Sequence, residues 1–332
     1  GFALMSSLPR RPLGSTGLDV SCLGLGTVKF GRNEGVKYPE KFIIPDDQAV
    51  LALLQQAQAL GINLIDTAPA YGNSEERLGK LLQRRQDWVI CSKTGEEFVG
   101  GRSRFDFSAA HTRNSIERSL RRLKTDYLDL VLVHSDGNDQ QIIEQTDCFE
   151  ALVRCREQGK IRAFGLSGKT VAGGLLAVPL CDVVMVSCNP GYTDELDVIE
   201  HAAALHKGVL IKKAFASGHS LAGSGTDAVY DTLRFIFAIN GVTSVIAGTI
   251  NPAHLRTAAW SSASTAIMSA FICSRFSDSS TSLINRSVPT QVAAASAGAQ
   301  MNTSGPHRAP VLLAAAVLAS LPVSRAKPPE TT

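Results

Sequence analysis

Four side chains that can carry or stabilise a proton lie at the ends of apolar runs or just beyond them. Asp66 and Lys93 each close a short apolar segment, Tyr71 follows Asp66 after four intervening residues, and His134 closes a third apolar run. Reduction of an aldehyde or ketone needs a hydride on the carbonyl carbon and a proton on the oxygen that becomes negative. The reaction therefore requires a positioned acid, and these residue types can supply one.

Each of the four residues has a role that suits carbonyl chemistry. Tyrosine is a poor acid near neutral pH because its ordinary pKa is about 10. A neighbouring ammonium group, such as that of Lys93, lowers a tyrosine pKa by favouring the phenolate, and Asp66 would keep the lysine charged and in place. His134 can orient the carbonyl oxygen through a hydrogen bond. Tyr71 is therefore the expected proton donor.

Taken singly, each residue also has an ordinary structural interpretation. A strand-end aspartate often caps a helix, and Tyr71 precedes a Gly-Asn pair that is typical of a turn. Lys93 could be a solvated lysine at the end of a strand, and His134 could be a core histidine whose hydrogen bonds are all made within the protein. The occurrence of all four at consecutive strand ends would require four independent coincidences, so it favours the functional interpretation.

The segments that carry these residues alternate with helical segments from about residue 20 to residue 250. Short runs rich in Val, Ile and Leu predict strands that are buried on both faces of a parallel sheet. The stretches between them have helical periodicity. The predicted strands are residues 20–27, 62–67, 88–93, 128–134, 161–167, 183–188, 209–213 and 244–249.

Helix starts are also recognisable. Asp46 precedes the helical segment 49–60, Ser74 begins another helix, and Ser108 precedes the segment 109–123. Eight strand-helix pairs in about 240 residues predict a closed (β/α)8 TIM barrel. In such a barrel the active site lies at the C-terminal ends of the strands, where the four side chains would converge.

An open, doubly wound sheet is the alternative architecture. Its phosphate-binding turn carries three glycines and leads directly into a helix. The first turn of this chain has only Gly24 and Gly26, and an irregular segment over residues 30–45 follows. The barrel is therefore favoured.

The charge distribution excludes several classes of partner. The chain has 332 residues with 33 Lys and Arg and 30 Asp and Glu, and the last 72 residues supply the whole net charge of +3. The neutral first part, without a basic block, argues against nucleic acid or an anionic membrane as the main partner. The longest apolar run, residues 311–321, is shorter than the roughly 20 residues of a membrane-spanning helix.

The cysteines, the histidines and the N-terminus favour a cytoplasmic protein without a metal site. Seven scattered cysteines without a C-x-x-C pair suggest neither a disulfide framework nor zinc binding. The seven histidines include no H-x-x-x-H pair. The first residues lack the charged and long apolar segments of a secretory signal. A small-molecule substrate is expected, and the oligomeric state stays open.

The composition changes near the C-terminus. Residues 261–332 contain 14 Ser and 14 Ala but only seven charged residues. This bias predicts a weakly ordered tail. We therefore divide the chain into a barrel over residues 1–260 and an atypical Ser/Ala-rich tail over residues 261–332.

The sequence resembles the aldo-keto reductase superfamily over about residues 10–256. The most specific similarity is Asp66-Thr-Ala-x-x-Tyr71-Gly, with Lys93 and His134 downstream. Further similar segments are residues 11–18, 23–27, 63–75, 92–94, 119–134, 159–167 and 248–252.

The resemblance implies a (β/α)8 barrel whose N-terminal β-hairpin closes the bottom. It implies NADPH bound across the strand ends, with NADH not excluded, and reduction of an aldehyde or ketone to an alcohol. The implied catalytic tetrad is Asp66, Tyr71 as proton donor, Lys93 and His134.

The resemblance also implies a set of cofactor contacts. Gly26, Thr27 and Asp66 would lie along the cofactor, and Ser167 would hold the nicotinamide carboxamide, with Gly168 beside it. The contacts implied for the adenosine phosphate end are Gly248, Thr249 and Asn251, with His254 and Arg256 near the 2′-phosphate.

Several positions depart from the family pattern. Gly168 stands where many members have Asn, and Met185 stands where a glutamine commonly faces the nicotinamide amide. Lys212 and Lys213 replace part of a common Tyr-Ser-Pro segment, and either lysine would contact the cofactor phosphates or form a solvated strand end. The Glu-Asn pair of the family is missing at residues 257–258.

Two other functions compete with the reductase. Residues 163–170 differ by one residue from the phosphate-binding G-x-x-x-x-G-K-[ST] motif and follow a predicted strand, which is the pattern of an NTPase. A non-catalytic, cofactor-binding regulatory barrel with a disabled C-terminal region is the second alternative. The filled tetrad favours the enzyme over the regulatory barrel.

Overall fold

Two short antiparallel strands precede the main sheet. They are β1 (Arg10–Pro12) and β2 (Asp19–Ser21), and they pair as a hairpin. We describe the fold from a computed structural model, which covers residues 8–36, 41–215 and 226–277, with side chains of the last helix described to residue 267.

The remaining strands follow in chain order. They are β3 (Leu23–Gly26), β4 (Leu64–Asp66), β5 (Val89–Thr94), β6 (Glu96–Val99), β7 (Arg102–Phe105), β8 (Leu128–His134), β9 (Ile161–Ser167), β10 (Val183–Ser187), β11 (Gly208–Lys212) and β12 (Ser244–Ala247). Strands β3, β4, β5, β8, β9, β10, β11 and β12 pair in parallel and close into a barrel through β12 and β3. The predicted (β/α)8 barrel with its N-terminal hairpin is confirmed.

Helices connect the barrel strands. They are α1 (Val28–Gly31), α2 (Asp47–Ala59), α3 (Ser74–Leu81), α4 (Ala109–Leu123), α5 (Asp139–Gln145), α6 (Cys148–Glu157), α7 (Val171–Ala177), α8 (Leu196–Ala204), α9 (Thr226–Phe237) and α10 (Pro252–Ser277). Asp46 and Ser108 cap α2 and α4 by accepting hydrogen bonds from backbone N–H groups. Ser74 begins α3 as predicted, but its hydroxyl donates to Thr27 of the first βα turn instead of capping the helix.

Two differences from the predicted elements concern the first strand and a loop. The predicted strand over residues 20–27 divides at Cys22, because its first part pairs with β1 in the hairpin and its second part enters the barrel. The segment after β5 contains the antiparallel hairpin β6–β7, which stands at the C-terminal end of the barrel. This hairpin brings side chains next to the site described below.

Two apolar cores lie on either side of the barrel wall. The inner core includes Leu64, Leu130, Leu132 and Leu210, and Leu13 from the hairpin packs into it. The outer core lies between the strands and the surrounding helices. Because successive strand residues point to opposite faces, each barrel strand contributes to both cores.

The last helix crosses the boundary that the composition places at residue 260. Helix α10 runs from Pro252 to Ser277, and Ser261 and Ser262 are fully buried in it. Trp260 lies against Tyr230 of α9 with ring centroids 6.1 Å apart. Residues 261–277 therefore continue helix α10 beyond the boundary that the composition predicts. Residues 278–332 lie outside the described part of the chain, so the two-domain division stays a prediction.

The segment that resembles a phosphate-binding loop has another role. Its backbone N–H groups at Lys169 and Thr170 both donate to Asp139 Oδ2 over 2.8 Å. A phosphate-binding loop directs such N–H groups at the nucleotide, whereas here they are bonded to a carboxylate of the protein. The structure does not support the NTPase alternative.

Gly165 in this segment is required by strand packing. A Cβ added at Gly165 would lie 1.7 Å from the Val183 carbonyl oxygen on the adjacent strand β10. The two backbones approach at this point too closely for any side chain.

The substitution Gly165→Ala should destabilise the barrel because backbone atoms, not a flexible side chain, must move. Overpacking of a core costs about 1–3 kcal/mol, and we expect a loss of unfolding free energy at or above the upper end of that range. Urea unfolding measures it. In the control Gly191→Ala the added Cβ would lie an ordinary 3.4 Å from Asn189 Oδ1, so the variant should stay within about 0.5 kcal/mol of the parent protein. Equal stability of both variants would contradict the close approach.

Candidate active site

The alternation of the strands directs the predicted tetrad into the barrel mouth. On β8, Leu130 and Leu132 pack in the inner core, so His134, two residues further on, faces the same way. The same period carries Asp66 inward on β4 and Lys93 inward on β5. All three lie at the C-terminal ends of their strands, as the barrel interpretation predicts.

The tetrad side chains contact one another. Lys93 Nζ donates to Asp66 Oδ1 over 2.6 Å, to the Thr67 carbonyl oxygen over 3.0 Å and to the Tyr71 hydroxyl over 3.3 Å. The rings of Tyr71 and His134 meet edge to face with centroids 6.1 Å apart. The structure thus brings together the four residues that the sequence predicted.

Burial and charge act in opposite directions on the lysine and the tyrosine. Burial is the largest influence and disfavours the Lys93 ammonium, but Asp66 together with Tyr71 and Cys91 outweighs it, so the pKa of Lys93 is raised. Burial raises the pKa of Tyr71 to about 12, and Lys93 opposes this rise without cancelling it. The sequence analysis anticipated the direction of the lysine effect but missed the larger effect of burial. Tyr71 therefore keeps its proton at neutral pH.

Glu96 is a site residue that the sequence analysis did not identify. It begins the hairpin strand β6, and its Oε2 lies 3.0 Å from His134 Nδ1. The Ser103 hydroxyl donates to Glu96 Oε1 over 2.6 Å. Burial acts to raise the pKa of Glu96, but its contacts with His134 and Ser103 outweigh burial and lower that pKa to about 2. The sequence offers only the acidic pair Glu96-Glu97 shortly after Lys93 as a signal. An acidic pair does not indicate that the hairpin folds back towards His134.

A cavity of about 500 Å³ opens above the tetrad. The predicted cofactor residues that line it, besides Asp66, are Gly26, Thr27, Ser167, Lys212 and Gly248. Gly168 lines a neighbouring pocket instead.

Lys212 is half-buried in the site, and its amine is bonded to the protein instead of forming a solvated strand end. Its Nζ donates to Ser167 Oγ over 3.0 Å and to the Gly168 carbonyl oxygen over 2.6 Å. Burial is the main cause that lowers its pKa to about 8. Lys213, by contrast, is exposed at the rim of the same cavity.

The remaining predicted cofactor residues lie away from this cavity, at the start of the last helix. Thr249 Oγ1 accepts from the Asn251 N–H over 3.1 Å, and Asn251 Oδ1 accepts from the Ala253 N–H over 2.8 Å. These contacts stabilise the turn into α10. His254 and Arg256 lie in the first turns of that helix, half-buried and exposed respectively. The structure does not bring these four residues into the cavity lining.

The cavity is suited to a nicotinamide dinucleotide. Its volume lies within the roughly 300–1,000 Å³ of small-molecule sites. Gly26 and Gly248 form a wall without side chains, and a Cβ at Gly26 would lie 3.2 Å from Gly248 Cα. Lys169, Lys212 and Lys213 add cationic groups that can bind the anionic phosphates.

The described residues also bear on metal binding and membrane insertion. They contain no group of three or more His, Cys, Asp or Glu arranged to hold a metal ion. In the same part of the chain, no helix is both long enough and apolar enough to cross a membrane.

The Aldo/keto reductase family model matches residues 22–218. L-Galactose dehydrogenase of Arabidopsis thaliana is 34% identical over 229 residues, which span 64% of this chain and 67% of that protein. NADH-specific methylglyoxal reductase of Escherichia coli is 32% identical over 168 residues, which span 46% of this chain and only 50% of that protein.

The fold is also similar to solved structures. One of them is the crystal structure of a Pseudomonas aeruginosa protein that is assigned to the aldo-keto reductases. Its sequence is 53% identical to this chain, the TM-score is 0.71, and the match covers 77% of this chain and 94% of that protein.

Proposed function

We propose that this chain, which belongs to the aldo/keto reductase family, reduces an aldehyde or ketone to an alcohol with Tyr71 as the proton donor and NADPH as the cofactor. The chain is an oxidoreductase of that family. The observation that carries the proposal is the contact of Lys93 with both Asp66 and Tyr71 inside the cavity.

The tetrad geometry supports proton transfer from the tyrosine. When bound, the nicotinamide cofactor supplies the hydride that adds to the carbonyl carbon. The Tyr71 O–H bond then breaks and its proton goes to the carbonyl oxygen, which leaves a phenolate. Lys93 Nζ lies 3.3 Å from the Tyr71 hydroxyl oxygen and stabilises the phenolate charge that forms there. Asp66 holds the ammonium in place in surroundings where an unpaired charge would be costly.

Ser167 is proposed to hold the nicotinamide carboxamide of the cofactor, and Lys212 is proposed to donate to a phosphate oxygen beside it. Their side chains are already bonded to each other at the cavity wall. The flat wall along the cofactor would be formed by Gly26, Thr27 and Gly248. Gly168 would contribute only through its carbonyl oxygen, which accepts a hydrogen bond from Lys212. Thr249, Asn251, His254 and Arg256 stay proposals for the adenosine end.

The proposal includes a preference for NADPH over NADH. One relative is named as NADH-specific, so a direct comparison of the two cofactors is needed. A cytoplasmic location likewise stays a prediction of the sequence.

A polar wall favours a small hydroxylated or dicarbonyl substrate. Arg32, Glu96 and Ser103 line the same cavity as the tetrad and make that side of it polar. Two similar proteins are named for L-galactose and methylglyoxal, which are compounds of that kind. These two compounds belong in the first substrate panel.

The substitution Tyr71→Phe should lower carbonyl-dependent NADPH oxidation by about 10²–10⁴-fold, which is the usual contribution of a positioned general acid. Loss of NADPH absorbance over a panel of sugars, aliphatic aldehydes, aromatic aldehydes and dicarbonyls measures it. The control Tyr127→Phe removes a hydroxyl from a ring that packs against Arg85 and Arg162, away from the cavity, and should keep the parent rate. Turnover by Tyr71→Phe at the parent rate would contradict the assigned proton donor. NADPH binding without turnover of any carbonyl would instead favour the regulatory barrel.

The substitution Lys212→Met should weaken NADPH binding at pH 7 by about tenfold or more, since a charge-assisted hydrogen bond contributes about 1.5–3 kcal/mol. The pKa of Lys212 is about 8, so its ammonium is present at pH 7 and is lost as the pH rises through that value. The affinity of the parent protein should therefore fall towards that of the variant at high pH. Fluorescence titration with NADPH from neutral to alkaline pH measures this difference, and Lys213→Met should change the affinity less. A larger effect of Lys213→Met would assign the contact to the exposed lysine.

A further inference from the structure

One ring nitrogen of His134 faces a carboxylate that has no part in the proton transfer proposed above. His134 Nδ1 is fully buried and has no well-aligned hydrogen bond to any described residue. Glu96 Oε2 lies 3.0 Å from it. The side chain as a whole keeps 19% of its surface exposed and lines the cavity, so the exposed edge of the ring is the one that carries Nε2.

The carboxylate is fixed by its own contacts. Ser103 donates to Glu96 Oε1, and Arg32 Nη1 lies 3.8 Å from that same oxygen. Arg32 also donates to the Ala70 carbonyl oxygen over 3.1 Å and lies over the Phe98 ring, 3.6 Å from its centroid. Glu96 is therefore an ionised, positioned acceptor and not a freely moving surface group.

An ionised carboxylate can only accept hydrogen bonds, so it favours a proton on the histidine nitrogen next to it. A neutral imidazole carries one proton. If that proton is on Nδ1, then Nε2 presents a lone pair to the cavity. Nε2 gains a proton only when the ring takes up a second one and becomes positively charged.

We infer that Glu96 is a positioning residue that fixes the tautomer of His134. The neutral ring then accepts a hydrogen bond from a hydroxyl in the cavity, and only the protonated ring donates one to a carbonyl oxygen. The catalytic consequence of this inference rests on the proposed function, whereas the tautomer itself does not.

The other charged groups around His134 influence the pKa of its ring. Lys93 on β5 and Lys212 on β11 both disfavour a positive ring, and Tyr71 faces the ring as a neutral hydroxyl. Burial is the largest influence and lowers the pKa of His134 below its ordinary value, while Glu96 acts to raise it. Arg32 stands behind Glu96 and reduces the effect of the carboxylate. At neutral pH the ring is therefore mainly neutral with its proton on Nδ1.

This arrangement couples the direction of the reaction to pH. Below the pKa of His134, the ring donates from Nε2 and can orient a carbonyl oxygen for reduction. Above that pKa, the bare Nε2 accepts from an alcohol hydroxyl and suits oxidation. Glu96 is the group that makes the two protonation states present opposite hydrogen-bonding character to the substrate.

Nitrogen NMR of histidine-labelled protein without ligand tests the tautomer directly. The signals of His134 are identified by their loss in His134→Ala. In the parent protein we expect the neutral ring to carry its proton on Nδ1. In Glu96→Gln the ring pKa should fall by about one to three units, as expected when an opposite charge is removed. The neutral ring of this variant should also populate the Nε2–H tautomer, since the Gln amide can donate to Nδ1.

The control is Glu97→Gln, which removes the same charge from the next residue of β6. Glu97 pairs with Arg118 outside the cavity, so this variant should leave both the tautomer and the ring pKa of His134 unchanged. A neutral parent ring with its proton on Nε2 would overturn the inference and needs no variant that might fail to fold. An unchanged His134 in Glu96→Gln would overturn it as well.

The pH profile of carbonyl reduction tests the catalytic consequence. In the parent protein kcat/KM should fall about tenfold for each pH unit above the ring pKa, because Nε2 loses its proton. In Glu96→Gln this fall should be absent, because the neutral ring can keep a proton on Nε2. Parallel profiles would show that Glu96 only supports the hairpin. If no protein turned over any carbonyl, the proposed function would fail while NMR would still decide the role of Glu96.

Discussion

A buried ion pair is the interaction on which the site depends. Lys93 and Asp66 lie 2.6 Å apart with side chains only 2% and 6% exposed. A lysine so far from water stays charged only beside a carboxylate, and breaking such a pair leaves an uncompensated buried charge. The pair joins the neighbouring strands β4 and β5, so the protonation of the site and the pairing of its strands depend on the same contact.

The barrel supplies what this pair requires. Parallel strands end at one rim, and the period of two along each strand directs every second side chain inward. Below the pair, Leu64 and Cys91 fill the inner core and exclude water. Above it, Tyr71 closes over the ammonium and gains a pKa of about 12 from its burial. The same burial that makes the ion pair costly thus keeps the tyrosine protonated and ready to donate.

The sequence predicts the barrel and the tetrad because both depend on local patterns. Apolar runs mark the strands, and the polar residue at the end of a run marks the rim. The inward position of Lys212 follows from the same alternation, since Leu210 already faces inward, although its side-chain partner Ser167 could be known only from the closed barrel. Glu96 could not be predicted, because its position depends on how the hairpin β6–β7 folds back over His134.

The last helix shows a different limit of sequence analysis. Its Ser/Ala-rich composition looks like that of a weakly ordered tail. The helix nevertheless buries Ser262 and Thr265, and Thr265 Oγ1 donates to the Ser261 carbonyl oxygen over 2.7 Å within the helix. Small side chains that bond to their own backbone can be buried without an obvious amphipathic pattern.

A double-mutant cycle on Lys93 and Tyr71 tests most directly the claim that the buried ammonium acts through the tyrosine. The measured quantity is kcat/KM for NADPH-dependent carbonyl reduction by Lys93→Met, Tyr71→Phe and the double variant. Residues that act as one unit are strongly non-additive, so the double variant should be no slower than the slower single variant. Losses that multiply, or a parent-like rate for Lys93→Met, would contradict the account.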